Sequence, residues 1–137
     1  MISEFHTIET ELLQQNEESL IQALKDIGFN PQVHKEAQNL YGYRGDMRDQ
    51  VAHIILPRDQ VGTASNDIGF ERLDNGKYRL YVSEFDQRSW NHKMPKLIQM
   101  YGVNTVESFT STSDYSMVEQ EVEADGTIRI RLRVNDY

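Results

Sequence analysis

The stretch Ile68-Gly-Phe-Glu-Arg-Leu-Asp-Asn-Gly-Lys-Tyr-Arg-Leu-Tyr-Val82, IGFERLDNGKYRLYV, reads as two strands joined by a tight loop. Its register decides what kind of sheet the chain builds. A two-residue Asn75-Gly76 loop would set Arg72 against Arg79 and Glu71 against Leu80. A three-residue Asp74-Asn75-Gly76 loop instead sets Glu71 against Arg79, Phe70 against Leu80 and Ile68 against Val82, with Gly76 in the left-handed bulge position. The second register pairs opposite charges on one face and apolar residues on the other, so the spacing predicts an antiparallel sheet built around strands at 66 to 73 and 77 to 84.

The same logic governs MVEQEVEADGTIRIRLRV near the C-terminus, where Glu119, Glu121 and Glu123 alternate and so do Arg129, Arg131 and Arg133. An Ala124-Asp125-Gly126 loop places Glu121 across from Arg129 and Glu119 across from Arg131, with Val122 and Val118 facing Ile128 and Leu132. The glutamates opposite the arginines neutralise that stripe, so it reads as a solvated face that fixes register rather than as a docking site.

Working outward, Phe5 and Ile8 within 3 to 10 read as a first strand. Leu20, Ile21, Ala23, Leu24 and Ile27 form an apolar stripe, predicting a helix over 17 to 27 with Asn16 as its cap. Gly28 suits the left-handed position after it, Phe29 folds back on Leu24, and Pro31 prevents continuation. Further strands are expected at 32 to 36, 39 to 44 and 50 to 56, and a second helix over 93 to 111 with Pro95 in its first turn. The order strand, helix, several strands, helix, hairpin predicts a single α+β domain spanning 1–137, one mostly antiparallel sheet with two helices packed on one face.

Composition narrows the chemistry. The chain has 137 residues, no cysteine, and 22 acidic against 14 basic residues, a formal charge of -8. Thiol catalysis and thiolate metal sites are excluded, and the negative balance opposes binding to nucleic acid or to an anionic membrane. The opening residues lack a secretory pattern and no segment is apolar enough to span a bilayer, so a cytoplasmic protein is expected. His6, His34, His53 and His92 have no metal-ligand spacing, and Ser108, Ser111, Ser113 and Ser116 stand in no nucleophile elbow. No P-loop or dinucleotide glycine pattern is present, so neither a catalytic residue nor a metal or cofactor is assigned.

One stretch keeps a candidate site, Tyr41-Gly-Tyr-Arg-Gly-Asp-Met-Arg48. As a strand it puts Tyr41 and Tyr43 on one face and Arg44 on the other, ending in a turn at Gly45-Asp46. Arg44 beside Tyr43 has the chemistry of a bidentate clamp for carboxylate or phosphate, and Asp67 is the acidic residue expected as its internal partner. The tripeptide Arg44-Gly45-Asp46 matches an adhesion motif, but three letters recur by chance and no secretory signal accompanies them. Asp46, Asp49 and Asp67 read as solvated turn residues rather than catalytic acids.

FHTIETEL at the start, LIQALKDIGF on the first helix, GYRG at 42 to 45, DIGF at 67 to 70 and EADGTIRIRLRV at 123 to 134 resemble, in that order, the hypothetical chloroplast reading frame thirty-five family, also called domain of unknown function twelve-fifty-seven. Trp90, in FDQRSWNHKMP, departs from the family's tryptophan-containing segment, which marks a divergent member. The resemblance implies a small cytosolic or stromal α+β protein with no catalytic residues to carry over. Together these readings favour a non-enzymatic module that binds another protein through a sheet face or edge, with a small-anion or metabolite-binding domain using Tyr43, Arg44 and Asp67 as the alternative.

Overall fold

The computed structural model describes residues 3–112, 115–122 and 128–134, with side chains as far as 109. Strand β1 (Phe5–Leu13) leads through one turn of 3-10 helix into α1 (Glu17–Asp26), followed by β2 (Gln32–Tyr41) and β3 (Met47–Leu56). A four-residue helix α2 (Arg58–Val61) precedes β4 (Ile68–Arg72) and β5 (Lys77–Ser83). The long helix α3 (Gln87–Thr112) and the hairpin β6 (Tyr115–Val122) and β7 (Ile128–Val134) complete the chain. This is the α+β architecture expected, a five-stranded antiparallel sheet in the order β1-β5-β4-β3-β2 with helices packed on it. The terminal hairpin is not part of that sheet; it forms a two-stranded sheet of its own against α3.

The central hairpin adopts the register predicted from charge pairing: Glu71 faces Arg79 and Phe70 faces Leu80. Leu73 N–H donates to the Lys77 carbonyl and Gly76 N–H to the Leu73 carbonyl, and Gly76 has φ 83°, closing a three-residue loop. In the outer hairpin, Glu121 faces Arg129, Glu119 faces Arg131 and Val122 faces Ile128. A register shift between Met117 and Glu119 then brings Met117 rather than Val118 opposite Leu132. The bulge inserts one residue, which the alternation of charges does not reveal. The Ala124-Asp125-Gly126 loop itself lies outside the described residues.

Alternate residues of three neighbouring strands, β3, β4 and β5, make the helix-covered face. Ile54 and Leu56, Ile68 and Phe70, and Tyr78, Leu80 and Val82 pack with Leu20, Ala23 and Leu24 of α1 and with Trp90 and Leu97 of α3. Helix α1 stops as expected: Phe29 N–H reaches the Leu24 carbonyl and Gly28 N–H the Lys25 carbonyl, with Gly28 at φ 103° and Phe29 in the same core cluster as Leu24. Asn16 does stand at the N-cap, but it caps nothing; its amide donates to the Tyr101 hydroxyl, tying α1 to α3. Helix α3 starts six residues before the expected 93, leaving Pro95 inside it. The earlier start follows from Ser83 and Asp86, whose side chains close a turn ahead of Gln87 and bury the Asp86 carboxylate.

The second face carries the unexpected feature. Strands expected separately at 32 to 36 and 39 to 44 form one strand with register shifts between Val33 and Gln38 and between Asn39 and Tyr41. These bulges bend the β2–β3 hairpin so that its distal half returns across the sheet. Leu40 and Ala52 pack with Ile55, Tyr81 and Phe5 in a second core cluster. They lie directly over Gly69, where an added Cβ would stand 2.6 Å from Ala52 Cβ and 2.8 Å from Leu40 Cδ2. Past them, Arg48 reaches the far edge strand, where it stacks over Phe5 and donates to the Ser3 carbonyl at 2.9 Å.

Candidate functional site

The tip of the arched hairpin is a three-residue loop of the same kind as the central one. Gly42 N–H donates to the Asp46 carbonyl, Gly45 N–H donates to the Gly42 carbonyl, and Gly45 sits at φ 78°. Tyr43 and Arg44 therefore occupy the turn rather than opposite faces of a strand, which ends at Tyr41.

The segment between α2 and β4 fastens this turn to the body of the sheet. Asn66 accepts the Tyr43 N–H at 2.8 Å and donates to the Ser3 carbonyl at 3.1 Å. The Asp67 carboxylate accepts the Tyr41 N–H at 2.8 Å on one oxygen and the Arg58 N–H at 2.7 Å on the other, which also caps the first turn of α2. Behind them, the Asp86 carboxylate accepts the Ser65 hydroxyl at 2.5 Å and the Asn66 N–H at 3.1 Å, so the loop is anchored to the start of α3. Burial raises the Asp67 carboxyl pKa above its ordinary value, and the two backbone donors only partly oppose that.

Of the three residues singled out in the sequence, Tyr43 and Asp67 come into one hydrogen-bonded assembly, and Arg44 stays outside it. Arg44 is exposed, with its guanidinium carbon 5.3 Å from the centre of the Tyr43 ring. It forms no ion pair with Asp67, whose oxygens hold backbone amides instead. The arginine nearest Asp67 is Arg58, which donates from its guanidinium to the Tyr43 carbonyl at 3.1 Å. Sequence reading missed Arg58, Asn66 and Asp86. The signal available was a run of polar residues, Ser65-Asn66-Asp67, placed directly before a buried strand.

Between the bent β2 and the α2 segment lies an open cleft of about 780 Å³. Its walls carry carboxamides, Gln32, Gln38 and Asn39 from β2 and Gln60 from α2, together with the charged Arg58, Asp59 and Asp67. Gln60 is held by a two-way bond with the Asn30 backbone, its oxygen accepting the N–H at 2.8 Å and its nitrogen donating to the carbonyl at 2.9 Å. A second, smaller cavity of about 300 Å³, largely apolar, lies beyond Tyr43 and is lined also by Ser3, Ala64, Glu84 and Phe85. His53, the strand histidine, uses Nδ1 to accept the Arg72 N–H at 2.9 Å. Among the described residues there is no grouping of histidine, aspartate and glutamate able to hold a metal ion, and no helix is long and apolar enough to cross a membrane.

No curated protein and no solved structure matches the chain. The family model described as "Protein of unknown function (DUF1257)" matches residues 23–131, from the middle of α1 into β7 and thus through the arched hairpin, the cleft and the loop that fastens them. The match covers well over half of the sequence, and the chain belongs to that family of unknown function.

Proposed function

We infer that the domain is a non-enzymatic module that binds a short segment of another protein in the cleft between β2 and α2. The observation that carries this reading is the cleft itself. At about 780 Å³ it has the size of a site for a few residues of extended peptide, and its neutral carboxamides offer donors and acceptors of the kind a peptide backbone uses. Asp67 has the burial and raised pKa expected of a catalytic carboxyl, but both of its oxygens already hold backbone amides, which supports a structural role for it. One sheet face is covered by helices and the other partly by the hairpin arch, so the cleft replaces the open sheet face as the interaction surface on this reading. The setting is cytoplasmic, or stromal for a plastid-encoded chain of the chloroplast reading frame thirty-five type.

A photo-crosslinking residue at Gln38 tests it in extracts of the host cell, with Lys25 on the exposed side of α1 as control. A discrete polypeptide adduct from Gln38 alone is expected. No adduct, or the same adducts from both positions, would reject the reading. The alternative, a small-anion or metabolite site at Tyr43 and Arg44, draws on the exposure of Arg44 and its lack of a carboxylate partner among the described residues. A metabolite at a hundredfold excess over its Kd would raise stability by about 2.7 kcal/mol, visible as a melting shift.

A further inference from the structure

Three arginines of the described chain are neutralised in ion pairs: Arg48 with Asp46, Arg72 with Glu17, and Arg79 with Glu9 and Glu71. Arg44 and Arg58 are in none, although the chain as a whole carries a charge of -8. Both are anchored on the same residue. Arg44 lies against the Tyr43 ring and Arg58 donates to the Tyr43 carbonyl at 3.1 Å. Tyr43 is itself held by Asn66, so two guanidinium groups meet at one fixed turn, Arg58 from the lining of the cleft and Arg44 from the exposed turn that follows Tyr41, another lining residue.

We propose that this pair selects an acidic peptide, seating a carboxylate side chain of the bound segment between Arg44 and Arg58. The inference rests on the peptide-binding reading of the cleft and adds the chemistry of its ligand. A guanidinium uses its planar fork best on a carboxylate, and orientation by stacking or by a carbonyl lowers the entropy lost on binding. Arg58 donates only one of its guanidinium N–H groups within the described protein, leaving the remainder for a ligand. The Arg58 guanidinium also stands close to this turn, 3.6 Å from where a Cβ on Gly45 would lie. The opposing charges are Asp59 and Asp67, which also line the cleft. Asp67 is engaged by backbone donors that the fold needs, so Asp59, which is exposed, is the opposing charge that can be removed without disturbing the loop.

The test is fluorescence anisotropy of the full chain with a labelled hexaglutamate peptide, against hexaglutamine and hexalysine of the same length. Saturable binding of hexaglutamate alone is expected, weakened about tenfold by either Arg44→Gln or Arg58→Gln. Asp59→Asn should tighten it, and Lys25→Gln, on the exposed side of α1, should leave it unchanged. Circular dichroism establishes that each variant is folded, and Arg44→Gln, at an exposed turn position, keeps the test valid if Arg58→Gln is not. Absence of hexaglutamate binding, or binding indifferent to both arginines, overturns the proposal. Displacement of the probe by inorganic phosphate at lower concentration than by unlabelled hexaglutamate overturns it in favour of a free anion. A Gln38 adduct obtained together with a failed hexaglutamate test would leave peptide binding standing and reject only its acidic specificity.

Discussion

Tyr41 and Asp67 hold each other twice: the Asp67 N–H donates to the Tyr41 carbonyl at 2.9 Å, and the Tyr41 N–H donates to the Asp67 carboxylate at 2.8 Å. The second carboxylate oxygen holds Arg58 N–H, so one side chain joins the end of β2, the start of α2 and the start of β4. Asp67→Ala leaves two backbone donors without their acceptor and should cost about 2 to 4 kcal/mol. Asp67→Asn keeps one carboxamide oxygen and should cost less, about 1 to 2 kcal/mol. Urea denaturation checks both, and an Asp67→Ala variant as stable as the parent would remove the staple from this account.

The same carboxyl has a signed pH dependence. Burial raises its pKa in the folded chain above 3.8, so the folded state holds the proton more tightly than the unfolded state. Its contribution is fully present below 3.8 and is lost as the pH rises through the raised value. Asp67→Asn therefore removes a component that favours the acid side. The difference in unfolding free energy between parent and variant should tilt toward the parent as pH falls through the carboxylate range, and a flat difference would contradict the assigned burial effect.

His53 tilts the other way. Its pKa is lowered, first by burial and then by the charge of Arg72, while Glu71, Glu17 and Glu36 act in opposition. Its Nδ1 accepts the Arg72 N–H, so the neutral ring carries its proton on Nε2. The unfolded chain binds a proton at His53 more readily, and the stabilisation is complete above 6.5 and declines as pH falls below it. An NMR titration of the His53 ring should give a midpoint below 6.5; a midpoint at or above that value would remove this contribution.

Gly69 is the point on which the arch rests. A methyl there would meet Ala52 and Leu40 at distances no carbon pair sustains, and both belong to the second core cluster. Gly69→Ala should lift the hairpin and cost about 1 to 3 kcal/mol through overpacking. Ala52→Gly in that background removes the nearest carbon and should return part of the loss. A double-mutant cycle reads this directly, and additive effects would show that Gly69 and Ala52 do not share the contact.

What could be read from residues alone is what nearby residues decide. The three-residue loop at 74 to 76 and the stop at Gly28 follow from charge pairing and glycine within a few positions, and both are present. The arch is different, because it depends on bulges in β2 and on Gly69 lying 29 positions beyond Leu40. The apolar alternation of β2 is nearly the same with or without them. Asp67 reads from sequence as an acidic partner for Arg44, but side chains that satisfy backbone amides 9 and 26 residues away leave no local pattern. The start of α3 was obscured by Pro95, a residue that marks a first turn more often than a helix interior.

The outer hairpin separates reading from structure at a single residue. The alternation of glutamates and arginines carries the Glu121–Arg129 register on to Val118 opposite Leu132, whereas the bulge places Met117 there. Neighbouring residues on a strand belong to opposite faces, so the two registers differ in which residue stands opposite position 132. The chain has no cysteine, so paired cysteines report on this without background. Glu121→Cys with Arg129→Cys should oxidise to an intramolecular disulfide under either register, since these Cα atoms are partners in both. Met117→Cys with Leu132→Cys should also close, and Val118→Cys with Leu132→Cys should keep free thiols under the same mild oxidation. Closure of the Val118 pair and not of the Met117 pair would remove the bulge and extend the charge ladder unbroken along the hairpin.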